Sequence, residues 1–148
     1  MEPAPARLRG KPSWLINKTS LHAQRLIGEV LNPLDARGYH FAILAALEEF
    51  GPASQIAIGQ RCGIDRSDTH ATVNELADQG LIVRAPDPAD RRRNVITLTP
   101  AGQRRLEQLD TILTGVQEEL LSALSEAERG QFLELLRRVF DHATRRSS

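Results

Sequence analysis

The densest chemistry in the chain lies between Asp65 and Leu98. Asp90-Arg91-Arg92-Arg93 sets a carboxylate beside three guanidinium groups, between Leu81-Ile82-Val83-Arg84 and Asn94-Val95-Ile96-Thr97-Leu98-Thr99. Both flanks have strand character, and Pro86, Asp87 and Pro88 form turns, so the segment reads as a hairpin with a long cationic tip. Upstream, Val73 and Leu76 make the inward stripe of a helix from Arg66 to Gln79. Ser67, His70, Ala71 and Asn74 fall on its outward side, with Arg66 and Asp68 in its first turn. Hydroxyl, imidazole, carboxamide and guanidinium groups on one helical face are the donors and acceptors that read base edges in a major groove. A guanidinium on an exposed loop suits the enhanced negative potential of a narrow minor groove.

Each residue type has its own part in such chemistry. Asn74 can make a bidentate contact with adenine, and Ser67 can donate or accept. His70 can donate to guanine N7 or to a phosphate, and Arg66 can fork onto guanine or grip phosphate. Asp68 either accepts from a cytosine amino group or orients Arg66. Arg91 and Arg93 point to the other side of the tip and suit phosphates. Ser54 is placed to cap a short helix, where its amide and hydroxyl could equally hold a phosphate.

The rest of the chain must position these groups. Residues 1–12, with Pro3, Pro5, Gly10 and Pro12, read as a flexible arm. Trp14, Leu15, Leu21, Leu26, Ile27, Val30 and Leu31 suit a helix with more than one apolar face, ended by Asn32-Pro33. Asp35 or Arg37 opens a second helix with Phe41, Leu44, Leu47 and Phe50 at helical spacing, stopped by Gly51-Pro52. A short helix from Gln55 to Arg61 follows, with Gly59 small where two helices must approach. Gly63 supplies the positive φ of the next turn, Asp65 caps the helix after it and Gly80 ends that helix. Thr99-Pro100 opens a long helix carrying Leu106, Leu109, Leu113, Val116 and Leu120. Ser125 and Glu128 form a capping box for a last helix whose apolar set is Phe132, Leu135, Leu136, Val139 and Phe140.

Bulk properties fit one globular unit: 148 residues, 41% hydrophobic, 26% charged. No run approaches the roughly 18 apolar residues of a membrane span, and no apolar segment follows the basic N-terminal residues as a secretory signal requires. A single cysteine, Cys62, cannot form an internal disulfide, which points to the cytoplasm. Formal net charge is zero, so affinity for random DNA should be weak and useful affinity must come from local clustering. No Ser/His/Asp or Cys/His arrangement is local, no phosphate-cradling glycine loop appears, and His22, His40, His70 and His142 have no metal-ligand spacing, so an enzyme, a cofactor and a metal centre are not expected.

Gly80-Leu81-Ile82-Val83-Arg84, Asp87-Pro88-Ala89-Asp90-Arg91-Arg92-Arg93 and Leu98-Thr99-Pro100-Ala101-Gly102, in that order, resemble the MarR (multiple antibiotic resistance regulator) family of winged helix-turn-helix repressors. The likeness runs over nearly the whole chain. It implies a mainly α fold, α+β by virtue of the wing hairpin. Residues 13–34 and 101–146 then form a helical dimerisation region, and residues 35–100 a DNA-binding winged helix-turn-helix. It further implies a homodimer on a palindromic operator, with Arg92 inserted in the minor groove and Asp90 fixing its aim. Many family members are released from DNA by a small phenolic or other aromatic ligand, held between the first two helices, the long fifth helix and the DNA-binding unit. Trp14, Asn17, His22, Tyr39 and His40 are the candidates for lining that space. Cys62 lies on the buried side of its helix and reads as packing. Two alternatives remain open on sequence alone: a metal- or redox-responsive repressor, if Cys62 and a histidine meet in space, and a winged-helix module that binds protein.

Overall fold

Four helix starts in this chain, after Ser54, Asp65, Thr99 and Ser125, coincide with side chains that satisfy otherwise unbonded amides of a first turn. The computed structural model describes residues 2–147. It contains α1 (Ala6–Arg9), α2 (Pro12–Leu31), a 3-10 turn (Asn32–Leu34), α3 (Gly38–Phe50), α4 (Gln55–Cys62), α5 (Arg66–Asp78), β1 (Ile82–Pro86), β2 (Asn94–Leu98), α6 (Pro100–Leu120) and α7 (Glu126–Ser147). Ser54 Oγ accepts from Ala57 N at 3.2 Å, Asp65 Oδ1 from Asp68 N at 2.7 Å and Thr99 Oγ1 from Gly102 N at 3.0 Å. Glu128 N donates to Ser125 Oγ while Ser125 N donates to Glu128 Oε1, the reciprocal box expected there. Gly63 (φ +67°) and Gly80 (φ +73°) take the left-handed conformation that ends α4 and α5.

The fold is mainly helical with one two-stranded antiparallel sheet, as the sequence led us to expect. The strands pair Ile82 with Leu98 and Arg84 with Ile96. Ala53, just before α4, exchanges backbone hydrogen bonds with Ile96 at 3.2 and 2.8 Å, fastening the hairpin to the helix-turn-helix. One apolar core runs through the molecule: Leu26 and Leu31 of α2, Ile43, Leu44 and Leu47 of α3, Ile58, Val73, Leu76, Ile82, Ile96, and Leu106, Leu109, Leu113 and Val116 of α6. Each of the fully buried leucines and isoleucines contributes about 1.5–3 kcal/mol by leaving water.

Some elements differ from expectation. Within the arm, residues 6–9 form a helical turn, and α2 starts at Pro12; the fixed φ of proline favours the first helical position. Phe50, expected in the inward stripe of α3, is 53% exposed. It is the last residue of that helix, and its ring is covered by the Arg61 guanidinium of α4 at 4.1 Å instead of by the core. No described residue of α7 is buried, and Phe132, Leu136, Val139 and Phe140 are exposed. Leu15, Ile16 and Leu21 of α2 are likewise open to solvent. An apolar groove of about 340 Å³ runs between these two helices, walled by Leu15, Ile16, Phe132 and Leu136.

Candidate nucleic-acid interface

The orientation of α5 follows from what it buries. Thr69, Thr72, Val73 and Leu76 are buried, which turns Arg66, Ser67, His70 and Ala71 outward. Buried threonines in a helix need partners for their hydroxyls. Thr69 Oγ1 donates to Asp65 O and Thr72 Oγ1 to Asp68 O, both at 2.7 Å. Gly59 of α4 allows the close crossing: a Cβ there would stand 2.7 Å from Thr69 Oγ1. The expected small contact between the two helices of the motif is therefore present, and α5 is held by its inner face.

Asp68 and Arg66 form no ion pair among the described residues. Positions two apart on a helix point to different faces, which keeps the two side chains apart. Ser54, the other residue with two readings, uses its hydroxyl as the cap of α4.

The outer edge of α5 carries a hydrogen-bonded chain that the sequence did not reveal. Arg84 Nη1 donates to Asn74 Oδ1 at 2.6 Å. Asn74 Nδ2 lies 3.2 Å from His70 Nε2, and His70 Nδ1 lies 3.4 Å from Nε2 of Gln55 at the start of α4. His70 and Asn74 were anticipated; Gln55 and Arg84 were not. A signal for Arg84 was present in the strand alternation. It is in phase with buried Ile82, so its side chain leaves the sheet on the face turned to the helices.

The hairpin tip is shaped by its aspartates. Asp87 N donates to Arg93 O at 2.7 Å, and Asp87 Oδ1 accepts from Ala89 N at 2.9 Å. Asp90 Oδ1 accepts from both Arg92 N and Arg92 Nε at 3.1 Å, while Asp90 Oδ2 faces Arg92 Nη2 at 3.3 Å. The Arg92 side chain and then its backbone N–H hold the Asp90 carboxyl below the usual carboxylate range. The Arg92 side chain is nevertheless 91% exposed, and Arg91 and Arg93 are exposed beside it. The result is a guanidinium fixed on one side and open on the other.

The expected ligand-lining set is not gathered into one space. Trp14 is half-buried, whereas Asn17, His22 and Tyr39 are exposed, with Arg25 Nη2 2.9 Å from His22 Nδ1. His40 is buried, but it faces Glu75 of α5, with Nε2 to Oε2 at 2.6 Å. A cavity of about 280 Å³ does lie between α2, α3 and α6, walled by Ile27, Phe41 and Leu113 and fringed by Asp110, Thr114 and Gln117. The discrepancy is one of distance along α2. That helix reaches the core only through its C-terminal half, and at 1.5 Å per residue Asn17 stands about 15 Å along the axis from Ile27.

Cys62 Sγ donates to Ala42 O at 3.4 Å, and burial pushes its thiol pKa up against the lowering effect of Arg61. Such a thiol is a poor nucleophile and ligand. Among the described residues no three His, Cys, Asp or Glu side chains converge as a metal site, and no helix is long and apolar enough to cross a membrane.

Residues 32–93 match the family model described as the MarR family. The chain is 37% identical over 87 residues to a putative transcriptional regulatory protein for the hcr operon of Thauera aromatica, covering 59% of this chain and 52% of that one. It is 31% identical over 101 residues to the HTH-type transcriptional repressor NicR of Pseudomonas putida, covering 68% and 64%. These matches therefore span only about half to two thirds of the curated relatives. Along the whole chain, the structure resembles the PcaV transcriptional regulator of Streptomyces coelicolor solved with its natural ligand. The TM-score is 0.77 at 28% identity, over 97% of this chain and 99% of that one.

Proposed function

Because the chain belongs to the MarR family, we propose that it is a sequence-specific, DNA-binding transcriptional regulator acting as a homodimeric repressor on a palindromic operator. The observation that carries this reading is the exposed Arg92 guanidinium, aimed by Asp90 at the end of a hairpin that Arg84 ties to the outer edge of α5. On duplex DNA, α5 takes the major groove, where Arg66, Ser67, Asp68, His70 and Asn74 meet base edges and phosphates. Arg92 enters the adjoining minor groove, Arg91 and Arg93 take phosphates, and the amide end of α4 at Ser54 takes another.

The dimer is supported by unpartnered apolar surface on α2 and α7. Exposed patches of that kind mark interaction sites, and a two-fold axis sets two copies of α5 roughly one helical turn of DNA apart. Occupying a promoter blocks polymerase, which is the simplest route to repression. NicR is named a repressor, and PcaV has been solved with a natural ligand. By that analogy a small aromatic ligand enters the cavity between α2, α3 and α6 and relieves repression by shifting α5. A cytoplasmic, non-enzymatic protein without cofactor follows from the same reading.

Selection of bound sequences from a random DNA pool tests this. The expected consensus is a palindrome whose half-sites lie one helical turn apart, bound with steep salt dependence. No enriched sequence, or a lone half-site bound by one subunit, would overturn it.

A further inference from the structure

We infer that Arg84 is a positioning residue for sequence readout: it locks the Asn74 carboxamide in one orientation through a one-way hydrogen-bond chain along α5. The inference rests on the DNA-binding reading above and deepens it.

The direction of the chain follows from donor and acceptor inventory. A guanidinium has five N–H donors and no acceptor, so the 2.6 Å contact from Arg84 Nη1 requires the oxygen of Asn74 at that place. The Asn74 NH₂ group is then directed at His70 Nε2, 3.2 Å away, and Nε2 must accept. In the neutral ring the proton therefore resides on Nδ1. Its neighbour is Gln55 Nε2, 3.4 Å away; a ring with its proton on Nδ1 is met correctly once that carboxamide turns over and presents its oxygen. Four side chains from α4, α5 and β1 thus share one polarity, set at the Arg84 end.

The consequence concerns what the helix presents to a base. An asparagine reads adenine with its N–H toward N7 and its oxygen toward the N6 amino group. Each carboxamide oxygen has two lone pairs and each NH₂ two protons, so Asn74 keeps one of each after bonding Arg84 and His70. Its oxygen stays on the Arg84 side and its nitrogen on the His70 side. Only one orientation of the base pair then meets it correctly. Without Arg84 the amide can turn over at little cost, and both orientations become acceptable. Exposed hydrogen bonds of this kind are weak in water, but they strengthen where DNA excludes solvent.

The test compares wild type, Arg84→Ala, Asn74→Ala and the double variant by sequence selection and by titration on the selected operator, with melting curves to confirm folding. In Arg84→Ala, discrimination at one base pair per half-site should fall by roughly fivefold or more, while preference at the other positions is retained. In the Asn74→Ala background, loss of Arg84 should change base preference no further. Arg84→Lys, which keeps a donor, should recover part of the discrimination. A uniform loss on every sequence with a shallower salt slope would make Arg84 an ordinary phosphate contact and overturn the inference. An unchanged consensus in Arg84→Ala would overturn it too. A wild type that selects no consensus would instead defeat the proposed function itself.

Discussion

His40 Nε2 and Glu75 Oε2 stand 2.6 Å apart, joining the first turn of α3 to the last turn of α5. Arg37 completes the cluster, with Nη2 at 2.9 and 2.7 Å from the two Glu75 oxygens and its backbone N–H donating to His40 Nδ1 at 3.2 Å. Because Nδ1 accepts, Nε2 carries the proton and donates to the carboxylate. This latch sets where the proposed reading helix sits relative to the core.

Glu75→Ala should therefore destabilise the fold by about 1–3 kcal/mol, mainly because the buried His40 N–H loses its acceptor. The Glu75 side chain is 43% exposed, so its ion pair with Arg37 is screened and adds little. Glu75→Gln keeps an acceptor and should cost less. The hydrogen bond from His40, then those from Arg37, lowers the Glu75 pKa. A depressed carboxylate contributes stability that is whole above its unfolded value and fades as pH falls through the folded one. Urea unfolding of wild type should thus weaken below about pH 4.3, the ordinary glutamate value, and Glu75→Gln should lack that component. Equal pH profiles for the two proteins would contradict the latch.

Gly102 sits where a Cβ would run into the Leu81 carbonyl and, 2.6 Å away, Leu98 Cδ1. Backbone cannot yield as a flexible side chain can, so Gly102→Ala should separate α6 from the hairpin base and cost on the order of 1–3 kcal/mol. Thermal denaturation reads this directly. Gly115→Ala, with nothing within 4 Å of its Cβ, is the control expected to leave stability intact or raise it.

Arg92→Ala removes an exposed side chain and should leave folding and association unchanged while weakening operator binding on the order of tenfold. Asp90→Ala should cost nearly as much, because its carboxylate aims the guanidinium through two side-chain contacts. Fluorescence anisotropy on operator DNA decides both. Tight binding by Arg92→Ala would dismiss the proposed wing contact, and tight binding by Asp90→Ala alone would make the pairing incidental.

Phe132→Glu and Leu136→Glu place charge on the apolar wall between α2 and α7. Since neither side chain is buried by its own chain, each variant should remain helical yet sediment as a monomer and lose operator binding. A dimer persisting in both variants would move the interface elsewhere.

Local signals carried far in this chain wherever a single residue or a short spacing controls the backbone. Ser54, Asp65 and Thr99 cap helices because each side-chain oxygen reaches the amide three positions ahead, and Gly63 and Gly80 end helices because glycine takes the left-handed φ cheaply. Asp90 and Arg92 met for the same reason, two positions apart on one turn. Phe50 misled because its spacing continued an inward stripe beyond the point where the helix still faced the core.

Helix and strand periodicity, caps and the acidic-basic tip were settled by covalent neighbours, whose separations the backbone dictates. The Arg84–Asn74–His70–Gln55 chain and the Arg37–His40–Glu75 latch came only with the tertiary structure. So did the separation of the residues expected to line a ligand space, since His40 turns its ring nitrogen to Glu75, 35 positions away. Hydrogen bonds between distant segments depend on how whole helices are rotated and spaced, and those rotations are fixed by the packed core, not by any pattern within one segment.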